Sequence, residues 1–260
     1  IYPMESLPIY QELLGQSVLI TGASSGIGAG LASAFAAQGC HIVVNYPDSA
    51  TQSAADNIVN AITENGGKAI AIQADVSRSE EVATMMNVTL SEFGKLDILV
   101  NNAGIARSAP VQDISEDDWD MVMGVHIKGT FLCTRAALPH MLERDRGRII
   151  STASQLAYKG APGFAHYTAA KGAILSFTRT LALEIGAGNI TANCVAPGAT
   201  LTPILGDVPA DILEAIRSGI PRGKLAEVED ILGAYLFLAS DGAAHFRGQC
   251  LSPNGGDVFL

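Results

Sequence analysis

Residues 21–28 read TGASSGIG, and this stretch stands between a strand pattern, SVLIT at 17–21, and the helical pattern that follows it. A glycine-rich turn in this setting is typical of dinucleotide-binding sites. Gly22 would form the tight turn, Gly26 would let a diphosphate approach the backbone, and Gly28 would let the helix and the sheet pack closely. The alternative is a tight strand-to-helix turn that binds no ligand.

The rest of the chain repeats this alternation of strand and helix. Seven strand patterns lie at 17–21, 41–45, 69–73, 97–101, 148–152, 190–195 and 248–252. Helical patterns lie at about 27–38, 51–65, 79–93, 116–144, 164–186 and 229–239, with a shorter one near 209–218. The alternation predicts an α/β protein with right-handed crossovers and a doubly wound parallel sheet between helices. Ligands of such sheets bind beyond the carboxyl ends of the strands.

The chain of 260 residues is expected to form one domain, because it can bury a large core and contains no linker, repeat or low-complexity tract. Residues 1–13 are interpreted as an N-terminal extension. Residues 198–224 are rich in proline and glycine and interrupt the alternation, so they are interpreted as a substrate loop or lid.

Composition excludes several classes of protein. Apolar residues make up 48% and charged residues 16%, which suits a sheet buried on both faces. The sequence has neither an apolar run of the roughly 18 residues that cross a bilayer nor a signal peptide, so we expect a soluble, cytoplasmic protein without a membrane partner. With a net charge of -10 and scattered basic residues, we expect no nucleic-acid partner. The cysteines show no metal-binding spacing, which predicts buried thiols and no metal: Cys40, Cys133, Cys194 and Cys250.

A candidate proton-transfer group lies in the second half of the chain. Tyr167 and Lys171, in YTAAK, share one helix face, and Ser154 follows the strand pattern RIIST. A tyrosine normally keeps its proton until about pH 10. A nearby ammonium would lower the pKa of Tyr167, so that its hydroxyl exchanges a proton with a carbonyl or alcohol oxygen near neutral pH. Ser154 would hold the same oxygen. A lone YxxxK, however, is common on helix surfaces.

Five motifs together resemble the short-chain dehydrogenase/reductase family. TGASSGIG, NNAG at 101–104, Ser154 placed 13 residues before Tyr167, YTAAK, and PG at 197–198 follow the order and spacing of that family. The resemblance implies a Rossmann-type sheet of seven parallel strands in the order 3-2-1-4-5-6-7. It implies that Tyr167 is the catalytic acid/base, that Lys171 lowers its pKa and binds the nicotinamide ribose, and that Ser154 positions the substrate oxygen.

The resemblance also implies which residues surround a nicotinamide dinucleotide. Asn101 and the three residues after it would line the cofactor and brace the sheet, Asp75 and Val76 would flank the adenine, and Pro197, Gly198 and Thr202 would contact the nicotinamide. The full predicted set is Gly22, Ser24, Ser25, Gly26, Ile27, Gly28, Asn45, Tyr46, Ser49, Asp75, Val76, Asn102, Ala103, Gly104, Tyr167, Lys171, Pro197, Gly198, Thr200 and Thr202.

The end of the second strand pattern bears on the choice between NADP(H) and NAD(H). NAD-preferring relatives place an acid there, which would repel a 2'-phosphate. Tyr46 occupies this position, so we expect NADP(H), with Asn45, Tyr46 and Ser49 donating hydrogen bonds to the phosphate. Against this expectation, Ser25 and Pro47 stand where NADP-preferring relatives often carry Arg or Lys, and Asp48 is nearby.

Two positions depart from the family pattern. His126 stands where the family usually has a catalytic asparagine, which in the family bends the helix and contacts, mainly through its backbone carbonyl, an ordered water linked to the lysine. One hypothesis is that His126 extends or replaces the proton relay, which a pKa near 6.5 would make pH-sensitive. The other is a packed, hydrogen-bonded imidazole without a proton-transfer role. Asn254 replaces a common aspartate in PNGGD, where we expect a structural consequence at a turn.

The leading hypothesis is therefore an oxidoreductase that exchanges hydride between NADP(H) and a carbonyl or secondary alcohol. A rival is a cofactor-binding sensor or scaffold that has lost catalysis; intact Ser154, Tyr167 and Lys171 argue against it, while His126 keeps it open. A sugar epimerase or dehydratase also uses YxxxK, but such chains usually carry G-x-x-G-x-x-G and a longer C-terminal domain. The substrate stays open among ketones, sterols, polyols and acyl thioesters. The resemblance further implies a homotetramer formed through the helices at 116–144 and 164–186 and the C-terminal strand.

Overall fold

A seven-stranded parallel sheet forms the centre of the computed structural model, which describes residues 7–206 and 208–259. The strands pair in the order β3-β2-β1-β4-β5-β6-β7, and every pair is parallel. This confirms the predicted sheet order. The strands are β1 Ser17–Ile20, β2 His41–Tyr46, β3 Lys68–Gln73, β4 Ile98–Asn101, β5 Gly147–Thr152, β6 Ile190–Val195 and β7 Cys250–Leu251.

Helices cover both faces of this sheet. They are α1 Gly26–Ala37, α2 Gln52–Glu64, α3 Ser79–Phe93, α4 Glu116–Met123, α5 Gly129–Glu143, α6 Leu156–Lys159, α7 Ala165–Glu184, α8 Ala210–Gly219 and α9 Glu229–Ala239. Along β1, Val18 and Ile20 face one core with α1 and α9, whereas Leu19 faces the other core with α3 and α5. Because both faces are buried, the central strands are continuous apolar runs.

The sheet order reverses between β1 and β4, and this position locates the site. A crevice opens where neighbouring strands lead to helices on opposite faces. Thr21 follows β1, and its Oγ1 accepts hydrogen bonds from the backbone N–H of Asn102 (2.9 Å) and of Ala103 (3.0 Å) after β4. The Asn102 side chain returns a bond of 3.0 Å to the Thr21 carbonyl. The two strand ends are thus joined.

Some elements differ from the sequence predictions. The helix predicted at 116–144 is divided by a π-helical turn, Gly124–Lys128, into α4 and α5. The helix α6 was not predicted, since four residues carry no periodicity. The short helix predicted near 209–218 is present as α8, and none of its residues is buried. The last strand spans two residues rather than five.

Part of the predicted N-terminal extension packs on the body of the protein. The Tyr10 N–H donates to Gln38 Oε1 at 2.8 Å, and Leu13 is fully buried. Residues 1–6 of that extension lie outside the described residues. Within residues 7–206 and 208–259, no helix is both long and apolar enough to span a membrane. All four cysteines are free thiols, three of them buried and Cys250 partly so.

Candidate active site

Glycines shape the turn between β1 and α1. Gly22 and Gly26 have positive φ values of 61° and 55°, which glycine adopts without strain. A Cβ atom on Gly22 would lie 2.7 Å from Ala103 Cα, and one on Gly28 would lie 2.3 Å from the Gly22 oxygen. The turn therefore brings the backbone close to the segment after β4 and leaves no room for a side chain at Gly22 or Gly28.

The first turn of α1 fits a diphosphate. Ser25 is the N-cap residue, and its side chain, which is exposed, makes no capping hydrogen bond. The first turn of α1 also contains no acidic residue. The N–H groups there thus have no side-chain acceptor, and no carboxylate in the first turn would repel a phosphate. A helix N-terminus in this state attracts phosphate oxygens. Ser24 and Ile27 lie partly buried in the same turn.

Asn45 has a different role from the predicted one. Its side chain is 1% exposed; Oδ1 accepts from the Gly22 N–H at 3.1 Å, and Nδ2 donates to the Ala74 oxygen at 3.0 Å. The amide therefore ties the glycine turn to the end of β3 and has no free donor for a 2'-phosphate, so this prediction is wrong. Tyr46 is 7% exposed and packs in the core, while Ser49 is exposed at the same rim.

Asp75 and Val76 follow β3, where the sequence places the adenine. The Asp75 carboxylate accepts from the backbone N–H of Ser77 at 2.9 Å and from its hydroxyl at 2.7 Å, and so closes the turn before α3. Val76 is 5% exposed and packs against Gly129, where a Cβ atom would lie 2.7 Å from it. Both residues border the cleft, and their contact with adenine stays a prediction.

Ser154, Tyr167 and Lys171 come together at the carboxyl end of β5. Ser154 is 7% exposed, its Oγ accepts from the Leu156 N–H at 3.1 Å, and it lies close enough to Tyr167 to lower the pKa of that hydroxyl. Lys171 is 3% exposed; its Nζ donates to the Thr152 oxygen at 2.6 Å and lies 5.6 Å from the centroid of the Tyr167 ring. The structure thus groups the three predicted residues on one side of the cleft.

Burial controls the protonation of this group. It raises the pKa of Tyr167, and the hydrogen bond from Ser154 only partly opposes this. It also lowers the pKa of Lys171 to about 7. The expected lowering of the pKa of Tyr167 by Lys171 is therefore contradicted, because the lysine is itself partly neutral at pH 7 and bonds to Thr152 instead. Tyr167 carries its proton at neutral pH.

His126 lies in the π-helical turn and is 1% exposed. Its Nε2 lies 2.7 Å from the Ile105 oxygen and 3.1 Å from the Ile105 nitrogen, while Nδ1 is buried without a partner among the described residues. The ring meets the Tyr167 ring edge-on at 5.3 Å. Gly104 makes room for it, since a Cβ atom there would lie 2.6 Å from His126 Cε1.

Burial, assisted by the charge of Lys171, lowers the pKa of His126 to about 3. The expected pKa near 6.5 is therefore wrong, and His126 is a neutral imidazole at physiological pH. These contacts support the packed, hydrogen-bonded interpretation. His126 holds the backbone after NNAG and supports one edge of Tyr167.

The segment after β6 reaches from the end of the sheet to the glycine turn. The Gly198 N–H donates to the Pro253 oxygen at 3.1 Å, and the buried Thr200 donates from Oγ1 to the Gly198 oxygen at 2.9 Å. A Cβ atom on Gly26 would lie 3.4 Å from Thr202, so Thr202 borders the turn. Pro197 lies at the start of this segment, and its oxygen accepts from Gln155 N–H at 3.1 Å.

Several residues that shape the site were missed by sequence reasoning. Thr21 joins the ends of β1 and β4, and Thr152 receives the hydrogen bond from Lys171. Both are polar residues at the carboxyl end of a strand, and that position is the signal that would have identified them. Within the described residues, no group of three His, Cys, Asp or Glu side chains could hold a metal ion.

Known proteins resemble the chain over nearly its full length. The family model for enoyl-(acyl carrier protein) reductase matches residues 22–257. A 3-oxoacyl-[acyl-carrier-protein] reductase of Synechocystis is 42% identical, covering 95% of this chain and 99% of that protein. The (2S)-[(R)-hydroxy(phenyl)methyl]succinyl-CoA dehydrogenase subunit BbsD of Thauera aromatica is 41% identical, covering 92% and 94%.

Solved structures share the fold. A protein from Beutenbergia cavernae described as an NAD(P)-dependent gluconate 5-dehydrogenase, with bound NADP, has a TM-score of 0.88 and 34% identity, covering 94% of this chain and 97% of that one. The 3-ketoacyl-(acyl-carrier-protein) reductase of Brucella melitensis, complexed with NADH, has a TM-score of 0.87 and 34% identity, covering 95% and 100%.

Sheet order, glycine turn and the Ser154, Tyr167, Lys171 group define a nicotinamide-dependent oxidoreductase. The chain belongs to the short-chain dehydrogenase/reductase family, which confirms the resemblance drawn from its motifs. It is an NAD(P)-dependent enzyme that acts on alcohol or carbonyl groups.

Proposed function

We propose that this protein reduces the 3-oxo group of an acyl thioester to a hydroxyl group, with Tyr167 as the proton donor. The observation that carries the proposal is the grouping of Tyr167, whose raised pKa keeps it protonated, with Ser154 and the buried Lys171 at the end of β5. Two relatives above 40% identity act, by name, on acyl groups carried by a protein or by CoA. Among the substrates left open by the sequence, these relatives support an acyl thioester.

The cofactor would be held by residues on three strand ends. The glycine turn and the first turn of α1 would bind the diphosphate, Asp75 and Val76 would border the adenine, and Lys171 would contact the nicotinamide ribose. When bound, the cofactor supplies the hydride. The uncapped N–H groups after Ser25 and the absence of side chains at Gly22, Gly26 and Gly28 support this arrangement.

The side chains perform the proton chemistry. Ser154 and Tyr167 donate hydrogen bonds to the substrate oxygen and so fix its position. Tyr167 then transfers its proton to that oxygen as negative charge develops on it. The resulting phenolate is stabilised by the protonated fraction of Lys171, whose Nζ lies 5.6 Å from the centroid of the Tyr167 ring. A tyrosine with a raised pKa enters this reaction in the acid form that reduction requires.

Residues 198–224 would close over the substrate. Leu201, Ile204 and Ile212 expose 43%, 52% and 48% of their surface in this segment, and α8 has no buried residue. Exposed apolar side chains beside a catalytic cleft are suited to cover an acyl chain. The lid remains a proposal, and residue 207 lies outside the described residues.

NADP(H) is proposed as the preferred cofactor. Tyr46 presents no carboxylate at the end of β2, and Asp48 uses Oδ1 to accept from the backbone N–H groups of Ala50 (3.0 Å) and Thr51 (3.2 Å). Relatives of known structure hold NADP or NADH. Steady-state kinetics decide the preference: a larger kcat/KM with NADH than with NADPH would contradict the proposal.

Substitution of Tyr167 by phenylalanine tests the function. We expect Tyr167→Phe to lose at least about 10³-fold in kcat with 3-oxobutanoyl-CoA, while NADPH binding, followed by its fluorescence, persists. Tyr10→Phe, far from the cleft, is the matched control. Absence of turnover by the parent protein across thioesters, ketones and polyols, with NADPH still bound, would favour the sensor or scaffold alternative instead.

A homotetramer is also proposed. Phe131 on α5 is 40% exposed, meets Phe177 of α7 edge-on at 6.5 Å, and lies under Arg135 at 5.0 Å. An exposed phenylalanine on α5, supported by the partly buried Phe177 on α7, is suited to an interface between copies of the chain. A cytoplasmic location stays a prediction from the sequence.

A further inference from the structure

We propose that Asp257 is a positioning residue for Ser154, acting through Gln155. The inference rests on the proposed function, because it assigns Ser154 to the reaction. It concerns the C-terminal tail, residues 253–259, which no sequence motif connects with catalysis. The tail bonds to the segment that follows Ser154, to Gly198 and to Arg222.

Asp257 holds the residues that follow Ser154. Its Oδ2 accepts from Gln155 Nε2 at 2.7 Å and from Lys159 Nζ at 2.5 Å, and its side chain is 11% exposed. Gln155 is the residue next to Ser154 and is 4% exposed. One carboxylate oxygen thus fixes both ends of the short segment from Gln155 to the end of α6.

The chemistry of the carboxylate determines how Gln155 is oriented. An ionised carboxylate accepts hydrogen bonds and cannot donate them, so Gln155 must present Nε2 rather than Oε1 to Asp257. Oε1 then lies buried without a partner among the described residues. Gln155 therefore already contains one unsatisfied polar atom, and its bond to Asp257 is the side-chain bond that keeps it in place.

Loss of that bond would move residues that belong to the site. Without Asp257, neither Nε2 nor Oε1 of the buried Gln155 side chain would have a hydrogen-bond partner. Because unpaired buried polar groups are costly, the side chain would rearrange. The Gln155 N–H also donates to the Pro197 oxygen at 3.1 Å, and the Ser154 oxygen accepts from the Ala157 N–H at 3.0 Å. Displacement of Gln155 therefore reaches Ser154 on one side and the segment at 197–198 on the other.

The tail itself is well fixed, which makes it a suitable anchor. Asn254 Nδ2 donates to the Val258 oxygen at 2.8 Å, and Asn254 Oδ1 accepts from the Gly256 N–H at 2.9 Å. An aspartate could not donate the first bond, which gives a physical reason for asparagine in PNGGD and confirms its structural role. The Gly255 oxygen accepts from the Arg222 N–H at 3.0 Å, so the tail also contacts the predicted lid.

Kinetics of Asp257→Ala test the inference. We expect kcat for the carbonyl substrate to fall about tenfold while the Kd for NADPH changes less than about twofold, because the hydroxyl of Ser154 is misplaced and the dinucleotide cradle is untouched. Asp257→Asn keeps an acceptor for Gln155 but loses the charge, so its kcat should lie between that of the parent and that of Asp257→Ala. Asp241→Ala is the matched control, since Asp241 pairs with Arg148 at 3.1 Å near the start of β5, at the end of that strand away from Ser154.

A double-mutant cycle separates positioning from general destabilisation. In a Gln155→Leu background, Asp257→Ala should cause no further loss in kcat, because Asp257 acts through Gln155. An equal loss in both backgrounds, or a kcat like that of the parent in Asp257→Ala, overturns the inference. If Asp257→Ala does not fold, Asp257→Asn is measured in both backgrounds instead.

Hydrogen exchange gives a readout that does not need turnover. Amides of residues 153–160 should exchange at least about threefold faster in Asp257→Ala and unchanged in Asp241→Ala. Unchanged exchange in Asp257→Ala overturns the inference. If Asp257→Ala exchanges faster but the parent reduces no carbonyl compound, the contact between Asp257 and Gln155 is supported and the proposed function is rejected.

Discussion

At the scale of single residues, burial rather than charge pairing sets the protonation state of the site. Tyr167 keeps its proton, Lys171 titrates near pH 7, and His126 is neutral. From the sequence we expected the Lys171 ammonium, rather than burial, to be the main influence on the pKa of Tyr167. Sequence spacing shows that two side chains share a helix face, but it does not show how much water reaches them.

The depressed pKa of His126 predicts a pH dependence of stability. Folded His126 has a pKa of about 3, whereas the unfolded chain has its ordinary value of 6.5. As the pH falls below 6.5, the unfolded state binds a proton that the folded state does not, so stability decreases. From pH 8 to pH 5 the parent should lose about 2 kcal/mol more than His126→Asn.

Urea denaturation of the two proteins at each pH measures this difference. Curves of unfolding free energy that run parallel from pH 8 to pH 5 would contradict the pKa assigned to His126. The pH profiles of kcat/KM should coincide above pH 5, because neither a neutral imidazole nor an amide titrates there.

Lys171 is expected to support turnover but to lower the stability of the folded protein. Burial lowers its pKa from 10.5 to about 7. Below pH 10 the unfolded chain therefore binds a proton at Lys171 more tightly than the folded protein does, which destabilises the fold. Lys171→Met should raise the free energy of unfolding at pH 7 by about 1–3 kcal/mol and abolish turnover. The gain should shrink between pH 7 and pH 10. Thermal denaturation across this range measures it, and a variant less stable than the parent at pH 7 would contradict the expectation.

At the scale of secondary structure, two helix starts show how a serine can be used differently. Ser115 caps α4, with Oγ accepting from the Asp118 N–H at 3.1 Å, and three acids occupy the first turn. Ser25 begins α1 without a side-chain cap or an acid. The start of α4 is satisfied within the chain, whereas the start of α1 leaves its N–H groups available for a ligand.

This contrast predicts opposite effects of two substitutions. Ser25→Asp should stabilise the protein without cofactor by about 0.5–1 kcal/mol, through a cap and the helix dipole, and should weaken NADPH binding at least about tenfold by charge repulsion. Ser115→Ala should destabilise the protein by about 1 kcal/mol and leave the Kd for NADPH unchanged. Thermal denaturation and a fluorescence titration measure both effects, and unchanged NADPH binding by Ser25→Asp would argue against a diphosphate at α1.

At the scale of the whole molecule, the sheet order was predictable because alternating strands and helices admit few topologies. Periodicity did not predict the π-helical turn at Gly124–Lys128, since five residues are too few to show a period of their own; only the family resemblance indicated a bend at His126. Asn45 was misinterpreted because its partners lie at the ends of two other strands, β1 and β3. The bond between Gln155 and Asp257 joins residues 102 positions apart, and neither residue carries a motif.

Assembly of several copies is expected to depend on the aromatic pair on α5 and α7. Phe131→Glu places a charge on the exposed ring position and should convert a tetramer into smaller species, measured as molar mass by light scattering. Val88→Glu, on α3 and 42% exposed, is the matched control and should leave the mass unchanged. A tetramer retained by Phe131→Glu would place the interface elsewhere.

The bond between Gln155 and Asp257 also has a consequence for refolding. It closes a loop of 102 positions, whereas the bond between Gly22 and Asn45 in the glycine turn spans 23 positions. Contacts between residues that are distant in the sequence cost more loop-closure entropy and form later. A refolding chain should therefore regain NADPH binding before it regains full turnover.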